Sequence, residues 1–111
     1  MCGEDRRGVF VSLTRVSTVG VPLDVPTIVA EELQRWLEDL EGFQGFLMLS
    51  REGSSIALSF WESREAAERH RVARGQVRER VTELAGGTIE QVEEYDVTFA
   101  ALGPLMINPA V

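Results

Sequence analysis

The stretch SFWESREAAERHR, residues 59–71, holds two side chains that could serve an active site. Trp61 ends an apolar, strand-like run, and His70 is the only histidine of the chain. An imidazole titrates near neutral pH and can accept or orient a proton, whereas an indole offers an N–H donor on a large apolar ring. We therefore predict that Trp61 and His70 are catalytic residues of one pocket.

Both residues also have a purely structural interpretation. A histidine on an inner helix face is often satisfied by a backbone carbonyl or an acid, and a tryptophan at a strand end can pack in a core or at a dimer edge. Small residues near both side chains favour a pocket, because they leave room for a ligand. The expected pocket residues are Ala57, Ser59, Ala66, Ala67 and Ala73, with the aromatics Trp36 and Tyr95, for which core packing is the alternative.

Four strands and two helices are predicted to position this pocket. Alternation in VFVSLTRV, residues 9–16, predicts a first strand, and a proline-containing loop leads to the first helix. That helix has an apolar face of Val29, Leu33, Trp36 and Leu40 and is predicted to end at Gly42. Two apolar runs joined around Gly53, Ser54 and Ser55 predict a hairpin. A second helix over 64–84 and a last strand over 88–100 complete the order.

The second helix carries two different faces in the sequence pattern. Small and apolar residues recur at spacings of three and four, which predicts an inner face that includes the histidine. This stripe consists of Ala66, His70, Ala73, Val77, Val81 and Leu84. Arg74, Arg78 and Arg80 are interspersed with glutamates, which predicts a solvated face. The alternative is that one of these arginines reaches over a pocket mouth and binds an anionic substrate.

The element order β-α-β-β-α-β is typical of the ferredoxin-like fold, an α+β arrangement with both helices on one face of a four-stranded antiparallel sheet. The hairpin strands, however, carry apolar residues on both faces. Ile56, Leu58 and Phe60 lie opposite to the face of Trp61. Because a bare apolar face is rarely left exposed, we expect a homodimer packed sheet to sheet. The tail, residues 100–111, is expected to pack on the partner or on its own subunit.

The composition limits the classes of function. A chain of 111 residues forms one domain, predicted over 9–99 after a flexible N-terminus, 1–8. A net charge of -7, with the 11 basic residues scattered among acids, argues against nucleic-acid binding. Cys2 is the only cysteine, and no apolar run is long enough to cross a membrane, so we expect a cytoplasmic protein without an intrachain disulfide. No metal-binding or phosphate-binding spacing occurs, and no cofactor is expected.

The segment 32–70 resembles the signature region of the antibiotic biosynthesis monooxygenase (ABM) family, in the dimeric α+β barrel superfamily. A helix followed by Gly42 and Phe43, then Gly45, a hairpin and a strand ending in Trp61-Glu62-Ser63 carry the resemblance. The order of strands and helices agrees through Phe99, so that the resemblance covers most of the chain. It implies one pocket per subunit between the helices and the sheet.

Within that family, the oxygenases that tailor aromatic polyketides are most similar in layout. This implies oxidation of a phenolic, anthrone-like substrate by O2 without metal or flavin. Those enzymes pair the tryptophan with an asparagine four residues earlier and a tyrosine six residues later, positions that are Ala57 and Ala67 here. The function expected is therefore a cofactor-independent monooxygenase acting on a small aromatic. The alternative is a non-catalytic member of the fold that binds a small apolar molecule.

Overall fold

The computed structural model describes residues 9–21 and 25–104, with the side chains in these ranges except those of residues 25–30, 81 and 85. Seven elements follow one another in these ranges. They are β1 (Phe10–Thr18), α1 (Val25–Leu37), β2 (Phe43–Arg51), β3 (Gly53–Trp61), α2 (Arg64–Arg69), α3 (Arg71–Ala85) and β4 (Thr88–Asp96). The predicted ferredoxin-like order is confirmed, with the second helix divided into α2 and α3.

The four strands form one antiparallel sheet in the order β2-β3-β1-β4. The central strands β1 and β3 pair along their whole length, from Phe10 opposite Trp61 to Thr18 opposite Gly53. β4, which carries the acidic stretch at 93–96, is an edge strand. Alternate residues of β1 and β3 point to opposite faces, so each central strand contributes one row of side chains to the helix-covered face.

The hairpin turn is tighter than predicted. Ser54 and Ser55 were assigned to the link between the strands, but both pair with the end of β2 and belong to β3. The turn is formed by Glu52 and Gly53, and Gly53 has a φ of 81°. Glycine adopts this left-handed conformation without steric cost, which explains why two residues suffice to reverse the chain.

The first helix ends earlier than predicted. α1 ends at Leu37, and turns lead from there to Gly42, which has a φ of 92°. Gly42 does not cap the helix but lies where α2 packs against the turn. A Cβ atom at this position would lie 2.6 Å from the Ala66 Cβ, so glycine is required for the close approach as well as for the backbone conformation.

The second helix is interrupted at His70, where a continuous helix was predicted. α2 begins after the N-cap Ser63, whose Oγ accepts a hydrogen bond from the Ala66 N–H at 3.1 Å. At His70 the backbone has φ −111° and ψ 26°, outside the helical region, and α3 begins at the next residue. The interruption breaks the regular phase on which the predicted inner stripe depends.

The inner face of α3 differs from the predicted stripe for this reason. Leu84, expected inside, is 57% exposed, whereas Arg74, expected in solvent, is only 5% exposed. Thr82 is also buried. A spacing of four places Arg74, Arg78 and Thr82 on one side of α3, and this side faces the sheet. Both the inner position of Leu84 and the solvated positions of Arg74 and Arg78 were therefore wrong.

The two faces of the sheet have different surroundings. Between the helices and the sheet lies a core cluster of Phe10, Leu33, Leu37, Trp61 and Ala67. The opposite face carries a second apolar row, and no described helix covers it. Leu49 and Tyr95 on that face are 46% and 49% exposed. The outer face is therefore apolar as predicted, whereas the helix-covered face also carries serine and threonine side chains of the central strands.

Several predicted features lie outside the described residues. They are Cys2, the N-terminal segment 1–8, the tail from residue 105 onward, and the side chains of Val29 and Val81. None of the helices in the described ranges has both the length and the apolar character needed to cross a membrane.

Candidate functional site

A cavity of about 80 Å³ lies between the sheet and the helices α1 and α3 and is partly open to solvent. Its floor consists of inward-facing residues of β1, β2 and β3, and its roof of residues from the two helices. A single water molecule needs about 10–15 Å³ measured in this way, so the space admits several small groups at once. It lies along the sheet from Ser59 toward Thr18, in the half of the sheet away from Trp61.

Apolar side chains form one wall of the cavity. Leu33 and Leu37 reach it from α1, Val77 from α3, and Phe46 and Met48 from β2. Leu33 and Leu37 are buried, whereas Val77, Phe46 and Met48 remain half-buried. A wall of this kind suits the face of an apolar ring, because contact with it removes apolar surface from water without requiring a hydrogen bond.

Hydroxyl groups line the floor. They come from alternate positions of the two central strands, with Ala57 between them on β3. The residues are Ser12, Thr14 and Thr18 on β1, and Ser55 and Ser59 on β3. Inward-facing strand positions are usually apolar, so a row of serine and threonine there indicates a polar ligand rather than a packed core.

Two arginines of α3 form the polar part of the roof. Arg74 Nε donates to the carbonyl of Ala67 at 2.9 Å, and Arg78 Nε donates to Thr14 Oγ1 at 3.1 Å. Burial lowers the pKa of both guanidinium groups, and the nearby charge of Arg74 lowers the pKa of Arg78 further. Glu94 opposes these shifts from β4, with a carboxylate oxygen 3.9 Å from Arg74. Both arginines remain charged, because arginine is not deprotonated in proteins.

Trp61 fills the space beside His70 where the pocket was expected. Its indole is fully buried, in edge contact with Phe43 at 5.5 Å between ring centroids and 5.9 Å from the imidazole of His70. His70 Nε2 lies 3.0 Å from the carbonyl oxygen of Glu41. This contact corresponds to the purely structural interpretation, in which a backbone carbonyl satisfies the histidine. Trp61 Nε1 donates to Ser59 Oγ at 3.0 Å, so the indole contacts the cavity through a residue that lines it.

The small residues predicted to form the pocket divide into two groups. Ala57 and Ser59 line the cavity. Ala66 and Ala67 are fully buried where α2 packs on the sheet and the turn before β2, and Ala73 is half-buried on α3. None of these three lines the cavity. The structure therefore brings together only the two predicted residues that come from β3.

The two predicted aromatics lie elsewhere. Trp36 packs at the edge of the core, which corresponds to the alternative interpretation of this residue as a core residue. The guanidinium carbon of Arg80 lies 6.0 Å from its ring centroid. Tyr95 pairs with Val11, which faces away from the helices, so its phenol lies on the outer face of the sheet. There Glu93 raises the pKa of Tyr95 by accepting a hydrogen bond and through its negative charge.

Five residues that line the cavity were not among the predicted pocket residues although the sequence carries a signal for them. Arg74, Arg78 and Thr82 are spaced by four on the second helix, and Ser12 and Thr14 alternate with apolar residues on the first strand. Polar residues that occupy one helical face and one strand face at the same time point to a polar interior. Arg74 and Arg78 entered the prediction only as the less favoured alternative.

Solved structures of known proteins share this architecture. A monooxygenase from the gene ActVA-Orf6 of Streptomyces coelicolor, determined with the ligand nanaomycin D, is 22% identical, with a TM-score of 0.63 over 90% of this chain and 96% of that chain. SnoaB, a cofactor-independent oxygenase from Streptomyces nogalater, is 16% identical, with a TM-score of 0.58 over 87% and 98%. A protein of Bordetella bronchiseptica that carries the ABM family name is 13% identical, with a TM-score of 0.59 over 83% and 99%.

The chain has the ABM fold. The resemblance found in the sequence is thereby confirmed at the level of the fold, and oxygenases that work without a cofactor are among the proteins that share it. No protein-family model and no curated protein matches the sequence. At identities of 22% or less, the ABM fold establishes the architecture and leaves the substrate to be inferred from the cavity.

Proposed function

We propose that this ABM-fold protein is a cofactor-independent monooxygenase that oxidises a small phenolic aromatic with O2. The observation that carries the proposal is the cavity itself, which combines an apolar wall with a hydroxyl-lined floor and a cationic roof. An aromatic ring lies against the wall, and its oxygen substituents contact the polar side. The same architecture in proteins that act as oxygenases supports the assignment.

The proposed reaction needs no bound redox group, because the substrate supplies the electrons. A deprotonated phenol passes one electron to O2, and the two resulting radicals combine to form a carbon–peroxide bond. Loss of water from the peroxide converts a ring CH2 into a ketone, so one oxygen atom enters the product and the other leaves as water. The protein binds the anion, removes it from water and directs donors at its charge.

Trp61 and His70 act in this proposal as positioning residues. Trp61 donates to Ser59 Oγ, which fixes the acceptor side of that hydroxyl and leaves its proton free to point into the cavity. His70 packs against the indole and is itself held by the carbonyl of Glu41. This role corresponds to the orienting function considered for His70, and neither ring contacts the substrate.

Oxygen uptake tests the proposal. Purified protein is mixed with a panel of anthrones, hydroquinones and phenols of increasing size, and O2 consumption is followed with an electrode. We expect one O2 consumed for each ketone formed, with one labelled atom in the product when labelled O2 is used. Protein treated with a chelator keeps its rate, and heat-unfolded protein serves as the blank. If no compound reacts faster than in the blank, the oxygenase assignment is wrong.

The second candidate function is binding without catalysis. The positions that carry asparagine and tyrosine in the resembling oxygenases are Ala57 and Ala67 here, and an alanine has no group to donate or accept a proton. A protein of this kind binds the same aromatic in the same cavity and is stabilised by it. At one hundred times the dissociation constant, a ligand adds about 2.7 kcal/mol of stability without any O2 being consumed.

We also propose that the protein is a homodimer in which the outer sheet faces pack together. That face presents Leu13, Ile56, Leu58 and Phe60, none of which is fully buried within one chain. Their alternation with the cavity-facing residues of β1 and β3 places them on one continuous surface. A second copy of the same surface covers it with two-fold symmetry.

Charge introduced on this face tests the dimer. Leu58→Asp places a carboxylate at the centre of the proposed interface, and we expect it to convert the dimer into a monomer, since a buried unpaired charge is costly. Leu84→Asp, on the exposed side of α3, is the matched control and stays dimeric. The masses are measured by light scattering. A monomeric wild-type protein, or a Leu58→Asp variant that remains dimeric, would contradict the interface.

A further inference from the structure

The charge of the cavity is only partly balanced by the residues around it. Two of its lining residues are cationic, Arg74 and Arg78, and none of the described lining residues is acidic. This occurs in a chain with a net charge of -7, in which carboxylates are abundant elsewhere. Burial of a cation is unfavourable unless it is paired, and the one ion pair in reach among the described residues, from Glu94 on β4, goes to Arg74, so that Arg78 still calls for an anion.

The hydrogen bonds of the two arginines leave their outer donors unused. Each uses Nε to contact the protein, Arg74 at the carbonyl of Ala67 and Arg78 at the hydroxyl of Thr14. Within the described ranges, no hydrogen-bond acceptor is found for the terminal nitrogens of either arginine. The nearest carboxylate oxygen to Arg74 belongs to Glu94 at 3.9 Å, beyond hydrogen-bond distance. Arg78 forms no ion pair with any described residue.

Ser12 gives an independent indication of the same ligand. Its side chain is 3% exposed, lines the cavity, and has a hydroxyl with no hydrogen-bond partner among the described residues. A buried hydroxyl without a partner is destabilising, so such groups are normally satisfied. Ser12 lies two residues before Thr14 on β1, and the Arg78 side chain reaches Thr14. The free hydroxyl and the free guanidinium donors therefore converge on one end of the cavity.

We propose that the cavity binds its ligand as an aromatic oxyanion, a carboxylate or an acidic phenolate, with its oxygens accepting from Arg74, Arg78 and Ser12. The ring of the ligand lies on the apolar wall of Leu33, Leu37 and Val77. Glu94 partly offsets the charge of Arg74, so one negative charge on the ligand suffices. The guanidinium fork of Arg78 matches the two oxygens of a carboxylate, and a phenolate uses the same donors through one oxygen.

The inference rests on the proposed function for the identity of the cavity as the substrate site, and it adds the residues that bind the oxyanion and a carboxylate as a second form of that anion. Its test is therefore an equilibrium one that needs no turnover. Benzoate and benzamide have nearly the same shape but differ by one charge, and their affinities are compared by calorimetry. We expect benzoate to bind about 10- to 100-fold more tightly, the effect of hydrogen bonds to a charged group.

A nitrophenol distinguishes the phenolate from the carboxylate as the source of the anion. Its affinity is measured below and above its own pKa, with benzoate as the reference at both pH values. A phenolate site gives tighter binding of nitrophenol in the ionised form, whereas benzoate binds equally at both. If only benzoate binds more tightly than its neutral analogue, the cavity binds a carboxylate. If only nitrophenol binds more tightly in its ionised form, the cavity binds a phenolate. Either result supports an oxyanion site.

Arginine variants locate the anion within the cavity. We expect Arg78→Met to lower benzoate affinity about 10- to 100-fold and to leave benzamide unchanged, while Arg78→Lys retains part of the preference because it keeps the charge without the fork. Arg80→Met is the matched control on the exposed side of α3. Ser12→Ala gives a smaller loss and is measured as well, in case Arg78→Met does not fold.

Two results would overturn the inference. One is equal affinity for benzoate and benzamide in the wild-type protein together with equal affinity for the neutral and the ionised nitrophenol. The other is a loss of benzoate binding in Arg80→Met that is as large as in Arg78→Met, which would place the anion on the protein surface. A benzoate preference without O2 consumption by any phenol refutes the oxygenase assignment and leaves the oxyanion site intact. O2 consumption without a preference for either benzoate or ionised nitrophenol refutes the oxyanion site and leaves the oxygenase assignment intact.

Discussion

Replacing Ala57 by phenylalanine is expected to abolish both aromatic binding and O2 consumption while the protein remains folded. Ala57 lies on the central strand β3, faces the cavity, and is paired with Thr14 on one side and Met48 on the other. A phenyl ring at this position enters the space of about 80 Å³ that the ligand needs. Because the ring fills existing space, we expect little loss of stability.

The effect of Ala57→Phe is measured by benzoate calorimetry and by oxygen uptake, with the melting temperature as the check on folding. Ala57→Ser is the matched control, since its side chain leaves the cavity open and matches the hydroxyls already present on the floor. We expect it to bind benzoate within a few-fold of the wild-type protein. Unchanged benzoate affinity in a folded Ala57→Phe protein would show that the ligand binds outside the cavity.

Trp61→Ala is expected to cause the largest loss of stability of any substitution considered. Trp61 is fully buried and contacts Phe43, His70 and the guanidinium of Arg74, which lies 5.7 Å from its ring centroid. Removal of a buried aromatic ring costs about 3–5 kcal/mol, against a total stability of about 5–15 kcal/mol for a typical domain. We expect the melting temperature to fall by more than about 10 °C.

The loss is measured by urea unfolding at one fixed protein concentration, because the proposed dimer would make stability depend on concentration. Trp61→Phe separates packing from hydrogen bonding, since it keeps a ring and removes the donor to Ser59. If Trp61 positions Ser59, this variant lowers kcat and leaves KM nearly unchanged, whereas the matched variant Trp36→Phe changes neither. If the free energy of unfolding of Trp61→Ala lay within about 1 kcal/mol of the wild-type value, Trp61 would not be the centre of the core.

The fold could be predicted from the sequence because its signals are local and repeated. Alternation along β1 and β3, the apolar face of the first helix and the glycine at the hairpin turn each specify one element independently. The boundaries depend on tertiary contacts and were less accurate. Gly42 was taken as a helix cap, but its conformation serves the close contact with Ala66, which the sequence alone does not reveal.

The position of the cavity could not be predicted in the same way. The helical phase of α2 and α3 was counted as if the helix were continuous, and the interruption at His70 makes that count unreliable. Any hydrophobicity pattern also assigns arginine to the surface, although its long side chain can extend its charge into a polar cavity. Arg74 was consequently predicted to lie in solvent, whereas the structure buries it in the roof of the cavity, opposite the hydroxyls of β1.

Trp61 and His70 illustrate the limit of inference from residue type. Both were selected because an indole and an imidazole can do chemistry, and the structure does place them side by side. Their contact, however, fills the space that a substrate would have required. The groups that face the cavity are instead hydroxyls and guanidinium groups, which become visible as a site only when strands and helix are brought together.

A crystal structure of the protein with bound benzoate would show directly where the anion lies. We expect the aromatic ring against Leu33, Leu37 and Val77, with the carboxylate within hydrogen-bond distance of Arg78 and Ser12. The apolar wall and the unpaired donors would then be satisfied by one molecule. A ligand bound beside His70 or on the outer sheet face, with the cavity between the sheet and α3 empty, would contradict this expectation.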